Sequence, residues 1–335
     1  MMKRLLPLAA LLLLAAFAAG CDAFRNLRDS DTMTAQGRPY ELVVVCGHDT
    51  WNSPLGDSLR TVFTAPVAYL NQTEPLFDLL RINPNGYTGT VARHRNILKV
   101  VVDPTLEQTR AGVQYDLTAQ PQVIVTLQGP SQEAVTAYLS EHRAEMVQLF
   151  EQAERSRSIR FTERYFASEV SKVLEERFGV EMKVPRGYVV AVSQPDFVWA
   201  RYEYPQASQG FFVYSYPYEG PQSLTPEALL AARNRFAARI PGPTDGSYMT
   251  TSEVVAPDYR MFRLEGRLWC ELRGFWDVAG DFMGGPFVSF TTVDTRTNRV
   301  FTLDGYVYSP KLHKRNFVRG VEHLLYQVKF PSDEK

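Results

Sequence analysis

A short loop in the C-terminal third of the chain carries residues that could contact a ligand or a partner. It runs from Asp277 to Gly285, DVAGDFMGG, between two segments expected to be strands. Its candidate contact residues are two carboxylates, an apolar tip and two glycines that permit close backbone approach: Asp277, Asp281, Phe282, Met283, Gly284 and Gly285. The same residues could close a wide hairpin whose tip folds onto the sheet, and their composition favours this structural role. Too few acidic residues alternate for a calcium loop.

No other residues form a known catalytic or metal-binding pattern. The five histidines are scattered, at His48, His94, His142, His313 and His323. The sequence contains no HExxH or CxxC pair, no Gly-x-Ser-x-Gly elbow and no glycine-rich phosphate loop. We therefore expect no metal and no cofactor, although an enzyme assembled from distant residues stays an alternative.

The start of the chain has the pattern of an export signal. Lys3 and Arg4 precede an apolar run from Leu5 to Phe17, which is too short to span a bilayer. Small residues and then Cys21 follow, an order that resembles the bacterial lipoprotein signal. That resemblance implies that Cys21 becomes the first mature residue and that its thiol receives the lipid, which anchors the chain firmly. The alternative is ordinary secretion, with cleavage after Ala18 or Gly20.

Composition narrows the possible partners. Residues 21–335 retain 34 basic and 37 acidic side chains once Lys3 and Arg4 are removed, a net charge of −3. No basic excess favours nucleic acid as a partner. The expected partners are the membrane, through lipidated Cys21, and an envelope protein or glycan. We expect the protein in the cell envelope, at the outer membrane and facing the periplasm.

Two further cysteines lie in apolar, strand-like segments. Cys46 and Cys270 could pair in an oxidising envelope and join two domains. Two separate buried thiols are favoured, because free cysteine is among the most buried residue types.

Periodicity predicts an α+β fold in two domains, with mostly antiparallel sheets packed against helices. The expected segments are a signal peptide (1–20), a tether (21–38), an N-terminal α+β domain (39–155) and a C-terminal α+β sandwich (156–335). Helix starts are predicted at Ser131, Thr225 and Ser309, the last two followed by proline. The charged stretch 151–160 is either a boundary or a helix extension, and a helix is expected from Phe161 to a cap at Gly179.

Two side-chain groups could form surfaces. Aromatic residues concentrate on neighbouring strands between Trp199 and Tyr218, where they could bind a sugar or protein but are more typical of a core. The last helix is expected to turn Lys314, Arg315 and Arg319 outward. With Lys311 these could face lipid headgroups, but a solvated helix face is the default.

Several motifs point to a family. They are Arg93–Asn96, Arg273–Trp276, Gly280–Phe287 and Gly305–Pro310 with Lys314-Arg315. Together they resemble an uncharacterised, domain-of-unknown-function family of Bacteroides-type envelope lipoproteins. The resemblance implies the anchor and the two-part architecture and implies no activity. The order of elements after Val184-Pro185-Arg186-Gly187-Tyr188 also resembles the photosystem extrinsic-subunit (PsbP-like) sandwich, but a fold does not dictate a function.

Three hypotheses follow for function. The first is a lipid-anchored envelope protein that binds or scaffolds another envelope component through its C-terminal domain. The second is an envelope hydrolase acting on glycan or peptide, which would need a cleft with convergent ionisable groups. The third is a small-ligand carrier, which would need an apolar cavity between sheet and helix.

Overall fold

The structure is a computed structural model that describes residues 33–331. The expected signal peptide and Cys21 lie outside the described residues. The chain divides into two compact units, which within the described range comprise residues 33–61 with 78–150 and residues 62–77 with 151–331. Residues 62–77 group with the second unit although they precede much of the first.

The described residues form thirteen strands and eight α-helices. The strands are β1 (Glu41–Val45), β2 (Asp78–Ile82), β3 (Asn96–Val102), β4 (Arg110–Tyr115), β5 (Val123–Gly129), β6 (Val189–Gln194), β7 (Phe197–Glu203), β8 (Ser208–Pro217), β9 (Tyr248–Thr251), β10 (Asp258–Leu264), β11 (Arg267–Ala279), β12 (Gly284–Asp294) and β13 (Arg299–Tyr308). The helices are α1 (His48–Trp51), α2 (Pro54–Phe63), α3 (Gly89–Ala92), α4 (Gln132–Glu141), α5 (Arg143–Arg164), α6 (Ser168–Phe178), α7 (Pro226–Ala237) and α8 (Arg315–Leu325).

The first unit contains a five-stranded sheet in the order β2-β1-β3-β5-β4. Its first three pairings are parallel, and only β4 runs antiparallel to its neighbour β5. The prediction of mostly antiparallel sheets holds for the strand pairs of both sheets taken together, but it is wrong for this sheet. Continuous apolar runs such as ELVVV in β1 are typical of parallel strands, whose two faces are both covered.

The second unit contains an eight-stranded sheet in which every pairing is antiparallel. Its order is β10-β11-β12-β13-β8-β7-β6, and β9 pairs with the C-terminal half of β11. One face packs against α6 and α8, with Leu174, Leu324 and Leu325 in that core. The other face packs against α7 through Leu229 and Phe236. The expected sandwich is therefore one sheet between two helical layers, which confirms the α+β class.

Local signals located several helix ends correctly. Ser131 Oγ accepts from the Ala134 N–H at 3.2 Å, and Thr225 Oγ1 accepts from the Ala228 N–H at 3.3 Å, so both caps are confirmed. Gly179 caps α6 with a φ of 61°, a left-handed conformation that suits glycine. The charged stretch 151–160 lies inside α5, and the boundary between the two units falls at its start, between residues 150 and 151.

Three predictions about helices were wrong. The helix expected from Phe161 to Phe178 is interrupted, because α5 ends at Arg164 and α6 begins at Ser168. The last helix begins at Arg315 instead of Ser309. The basic residues of that helix do not face outward. Lys314 and Arg315 are only 4% and 6% exposed, and the Arg319 side chain is 14% exposed.

A buried carboxylate explains where the last helix starts. Glu74, in the segment 62–77, accepts hydrogen bonds from the backbone N–H groups of Lys314 at 2.6 Å and Arg315 at 3.0 Å. It therefore occupies the place that a local Ser or Thr cap would take. This cap lies 240 residues away in sequence.

Candidate ligand-binding cleft

The loop singled out in the sequence is a tight hairpin. Strand β11 extends to Ala279 and β12 begins at Gly284, so only residues 280–283 form the turn. Gly280 has a φ of 88°, which favours glycine there. Asp281 Oδ1 accepts from the Phe282 N–H at 2.6 Å, which fixes the turn. The side chain of Phe282 is fully exposed at the tip.

The two glycines after the turn make room for other groups. A Cβ on Gly285 would lie 2.1 Å from the Val307 carbonyl oxygen and 3.2 Å from Trp276 Nε1. Trp276 is the cross-strand partner of Gly285, and its indole N–H donates to the Val307 carbonyl at 3.2 Å. A Cβ on Gly284 would lie 2.6 Å from Asp277 Oδ1. These glycines therefore have a packing role whether or not the loop binds anything.

Met283 connects this hairpin to a cleft in the second unit. The cleft has a volume of about 570 Å³ and opens on the α7 side of the sheet, near the edge strand β6. Met283 packs partly against the apolar core of that face. The other large apolar lining residues are Val192, Trp199, Ile240, Met249, Trp276, Val278, Tyr306 and Tyr308. Of the six candidate contact residues of the loop, only Met283 contributes to the lining.

The floor of the cleft depends on a glycine, Gly210, whose lack of a side chain leaves room for a tyrosine ring. Trp199 of β7 and Tyr306 of β13 lie on either side of β8, and the Trp199 indole N–H donates to Tyr306 Oη at 2.8 Å. A Cβ on Gly210 of β8 would lie 2.5 Å from that hydroxyl oxygen. Gly210 thus lets the Tyr306 ring cross the strand. Burial raises the pKa of Tyr306, so its hydroxyl stays neutral.

The rim of the cleft is polar. Arg201 and Glu203 follow Trp199 at alternate positions of β7, so all three side chains share one face. Arg201 lies 3.4 Å from Glu203 Oε1, and their side chains are 46% and 53% exposed. Ser208 Oγ donates to the same Glu203 oxygen at 3.3 Å. An ion pair this exposed contributes little stability, so either partner can exchange it for a ligand group.

Alternation could have revealed this rim from sequence. Trp199, Arg201 and Glu203 have period-two spacing, as have Tyr306 and Tyr308, yet nothing local shows that β7 and β13 meet across β8. The other aromatic residues between Trp199 and Tyr218 belong mostly to the core, which confirms the interpretation that the sequence favoured. Phe211, Phe212 and Tyr214 are all essentially unexposed.

Two other clefts of the second unit differ in chemistry. One, of about 490 Å³, lies between α6 and the C-terminal segment, with Lys172, Lys183 and Lys329 in its lining. Another, of about 450 Å³, lies beside Tyr216 and Arg235. Neither combines a tryptophan-rich floor with a charged rim.

Sequence patterns missed a buried ion pair on the same face of the sheet. Arg233 of α7 and Asp304 of β13 have fully buried side chains, with Arg233 Nε 2.8 Å from Asp304 Oδ2. The Arg233 guanidinium also lies 3.6 Å from the centre of the Phe287 ring. This pair ties α7 to the sheet and does not line the cleft.

The described residues contain no group of three or more His, Cys, Asp or Glu side chains placed to hold a metal ion. Within residues 33–331, no helix is both long and apolar enough to cross a membrane. Cys46 and Cys270 are both free and buried.

Two family models match consecutive parts of the chain, and this division resembles that of the two units. Residues 35–163 match a domain of unknown function, DUF8532, and residues 167–327 match another, DUF4837. The chain combines two uncharacterised domains. The cleft lies wholly within the DUF4837 match. No curated protein matches the chain.

One solved structure shows a distant likeness. Human StAR-related lipid transfer protein 5 aligns with 52% of this chain and 95% of its own, at 11% identity and a TM-score of 0.21. A score this low does not support a shared fold, and the alignment carries no functional argument.

Proposed function

We propose that this protein is a lipid-anchored component of the cell envelope that binds another envelope component through the cleft of its DUF4837 domain. The anchor is lipidated Cys21, and the proposed location is the outer membrane, facing the periplasm. The observation that carries the binding role is the cleft itself, which joins an apolar floor of Trp199, Trp276 and Tyr306 to a charged rim.

The lining indicates the chemistry of the occupant. Ligand sites are typically apolar concavities with a few placed polar groups. An apolar group would fill the space beside Met283 and Tyr308, while Arg201 and Glu203 would pair with a polar or charged group next to it. A peptide segment of an envelope protein has both kinds of group, and we propose it as the occupant.

The hydrolase alternative gains no support from this cleft. Glycosidases use two carboxylates placed on either side of the bond that they cleave. Glu203 is the one acidic residue among the cleft-lining residues, and it is already paired with Arg201.

Site-specific crosslinking in intact cells tests the proposal. A photo-reactive amino acid would replace Ala191, an exposed residue of β6 that lines the cleft. The matched control would replace Met261, which is 61% exposed on β10, the opposite edge strand of the same sheet. We expect one defined protein adduct from position 191 and none from position 261. The Arg201→Glu variant should weaken that adduct.

The anchor is tested with the same probe. The Cys21→Ser variant should be released from membranes by a high-salt wash that leaves the wild type bound, and it should give less of the adduct at position 191. Equal adducts from positions 191 and 261 would overturn the cleft as the binding site. Retention of the Cys21→Ser variant on salt-washed membranes would overturn the lipid anchor.

A further inference from the structure

Three exposed aromatic rings form a surface patch where α5 ends. Phe161 is 62% exposed, Tyr165 is 41% exposed and Phe166 is 36% exposed. Aromatic residues of the adjoining sheet, such as Phe211 and Phe212, are by contrast completely buried. Lys183 and Arg186 lie beside the rings, and two more arginines are their neighbours in the chain. Together these residues make up what we call the aromatic–basic patch: Phe161, Tyr165, Phe166, Arg160, Arg164, Lys183 and Arg186.

Backbone hydrogen bonds hold the patch in place. The Tyr165 N–H donates to the Phe161 carbonyl at 3.0 Å, and the two ring centres are 5.1 Å apart. The Ala167 N–H donates to the Val184 carbonyl at 2.7 Å, and the Arg186 N–H donates to the Tyr165 carbonyl at 3.2 Å. The rings are therefore displayed from an ordered, paired segment.

The basic groups lie directly beside the rings. Lys183 Nζ is 5.8 Å from the centre of the Phe166 ring, and the Arg186 guanidinium is 6.0 Å from that of Tyr165. Arg164 follows Phe161 by three residues on α5, which places both on one side of the helix. Glu163 lies about 200° around the helix from Phe161, so its carboxylate points away from the rings.

We propose that the aromatic–basic patch docks onto the surface of an anionic lipid bilayer. Tyrosine settles at the level of lipid headgroups because its ring is apolar and its hydroxyl group is polar, and phenylalanine rings insert among the adjacent acyl chains. Basic side chains near the bilayer are attracted by anionic lipids. This charge complementarity favours a lipid surface over a protein partner. The docking site is separate from the cleft, so either proposal can fail without the other.

The test is flotation of the unlipidated mature chain, residues 22–335, with vesicles. The probes are phosphatidylcholine vesicles with and without phosphatidylglycerol. We expect binding to the vesicles that contain phosphatidylglycerol, weak binding to those without it, and a decrease as salt is raised. Binding that is equal on both vesicles, or absent from both, would overturn the proposal.

Variants locate the binding on the patch. Replacing Arg164 and Arg186 together with Glu should weaken vesicle binding by about tenfold or more. The matched control replaces Arg263 and Lys311 with Glu, because both are exposed basic residues of the same unit outside the patch. Both pairs of substitutions change the net charge by the same amount. An equal loss of vesicle binding in both would therefore mean that net charge, and not the patch, determines the binding.

A second pair of variants tests the contribution of the rings separately from that of the charges. Phe161→Ser should reduce binding at fixed charge, whereas Phe282→Ser, which removes the fully exposed ring of the hairpin tip, should not. Both residues are exposed, so thermal unfolding should be unchanged in either variant. Retention of full vesicle binding by Phe161→Ser would contradict insertion of the rings.

Discussion

Two adjacent residues of α8 are buried, one charged and the other neutral. Glu322 Oε1 lies 2.7 Å from the Arg273 guanidinium, and Glu322 Oε2 lies 3.1 Å from that of Arg319. Burial by itself would raise the pKa of Glu322, but these two arginines hold it well below its usual range. Burial lowers the pKa of the neighbouring His323 from 6.5 to about 4, against the attraction of Glu322. Glu322 is therefore ionised and His323 neutral near pH 7.

This arrangement predicts a loss of stability in mild acid. Because the folded state disfavours protonated His323, its contribution to stability is present above pH 6.5 and is lost as pH falls towards 4. Between about pH 7.5 and pH 5 the free energy of unfolding should fall by about 2 kcal/mol from this residue. The depressed pKa of Glu322 acts in a lower window, below about pH 4.5. Urea unfolding at about pH 7.5 and about pH 5 measures the change in the free energy of unfolding that His323 causes.

The His323→Gln variant should lose this pH dependence, since glutamine does not titrate. The control is His48→Gln, which removes an exposed histidine of α1 in the first unit. If both variants kept the wild-type slope, the acid sensitivity would come from other groups.

At the scale of elements, the last helix depends on a residue from a distant segment. Its first two backbone N–H groups are satisfied by Glu74, which is 3% exposed. A carboxylate at a helix N-terminus also interacts favourably with the helix dipole. The segment 62–77 thus stabilises the second unit by capping one of its helices, in addition to any apolar packing.

We predict that Glu74→Ala destabilises the protein by about 2 kcal/mol, because it leaves two buried N–H groups without an acceptor. Chemical denaturation followed by circular dichroism measures the change. The control is Gln72→Ala, since Gln72 is exposed and its Oε1 atom contacts only Lys314 Nζ at 3.5 Å. A loss of similar size in the control would argue against the capping role.

At the scale of the whole molecule, each unit has its own buried thiol. Cys46 lies in the first unit with no exposed surface, and Cys270 lies in the second with 1% exposed. Burial raises the pKa of both thiols, which further suppresses the reactive thiolate. The units are therefore joined by the chain and carry no disulfide between these residues.

Alkylation of residues 22–335 tests this assignment. Iodoacetamide should leave both thiols unmodified in the native protein and modify both in denaturant without a reductant. The control is Val254→Cys, which places a thiol at a position that is 88% exposed and should react at once. Alkylation in denaturant that required prior reduction would reveal a disulfide and contradict the assignment.

The sequence by itself determined the local features of this protein. Caps at Ser131 and Thr225, the left-handed glycine at 179 and the apolar strands depend on neighbouring residues, so spacing and residue type were sufficient to predict them. The tertiary structure decided what depends on distant residues. Glu74 sets the start of the last helix at Arg315, and Arg319, expected outside, pairs with the buried carboxylate of Glu322. The cleft lies where Trp199 of β7, Tyr306 of β13 and Met283 of the turn before β12 come together. Such contacts join positions tens to hundreds of residues apart, and no local pattern of hydrophobicity or charge specifies which of them will meet.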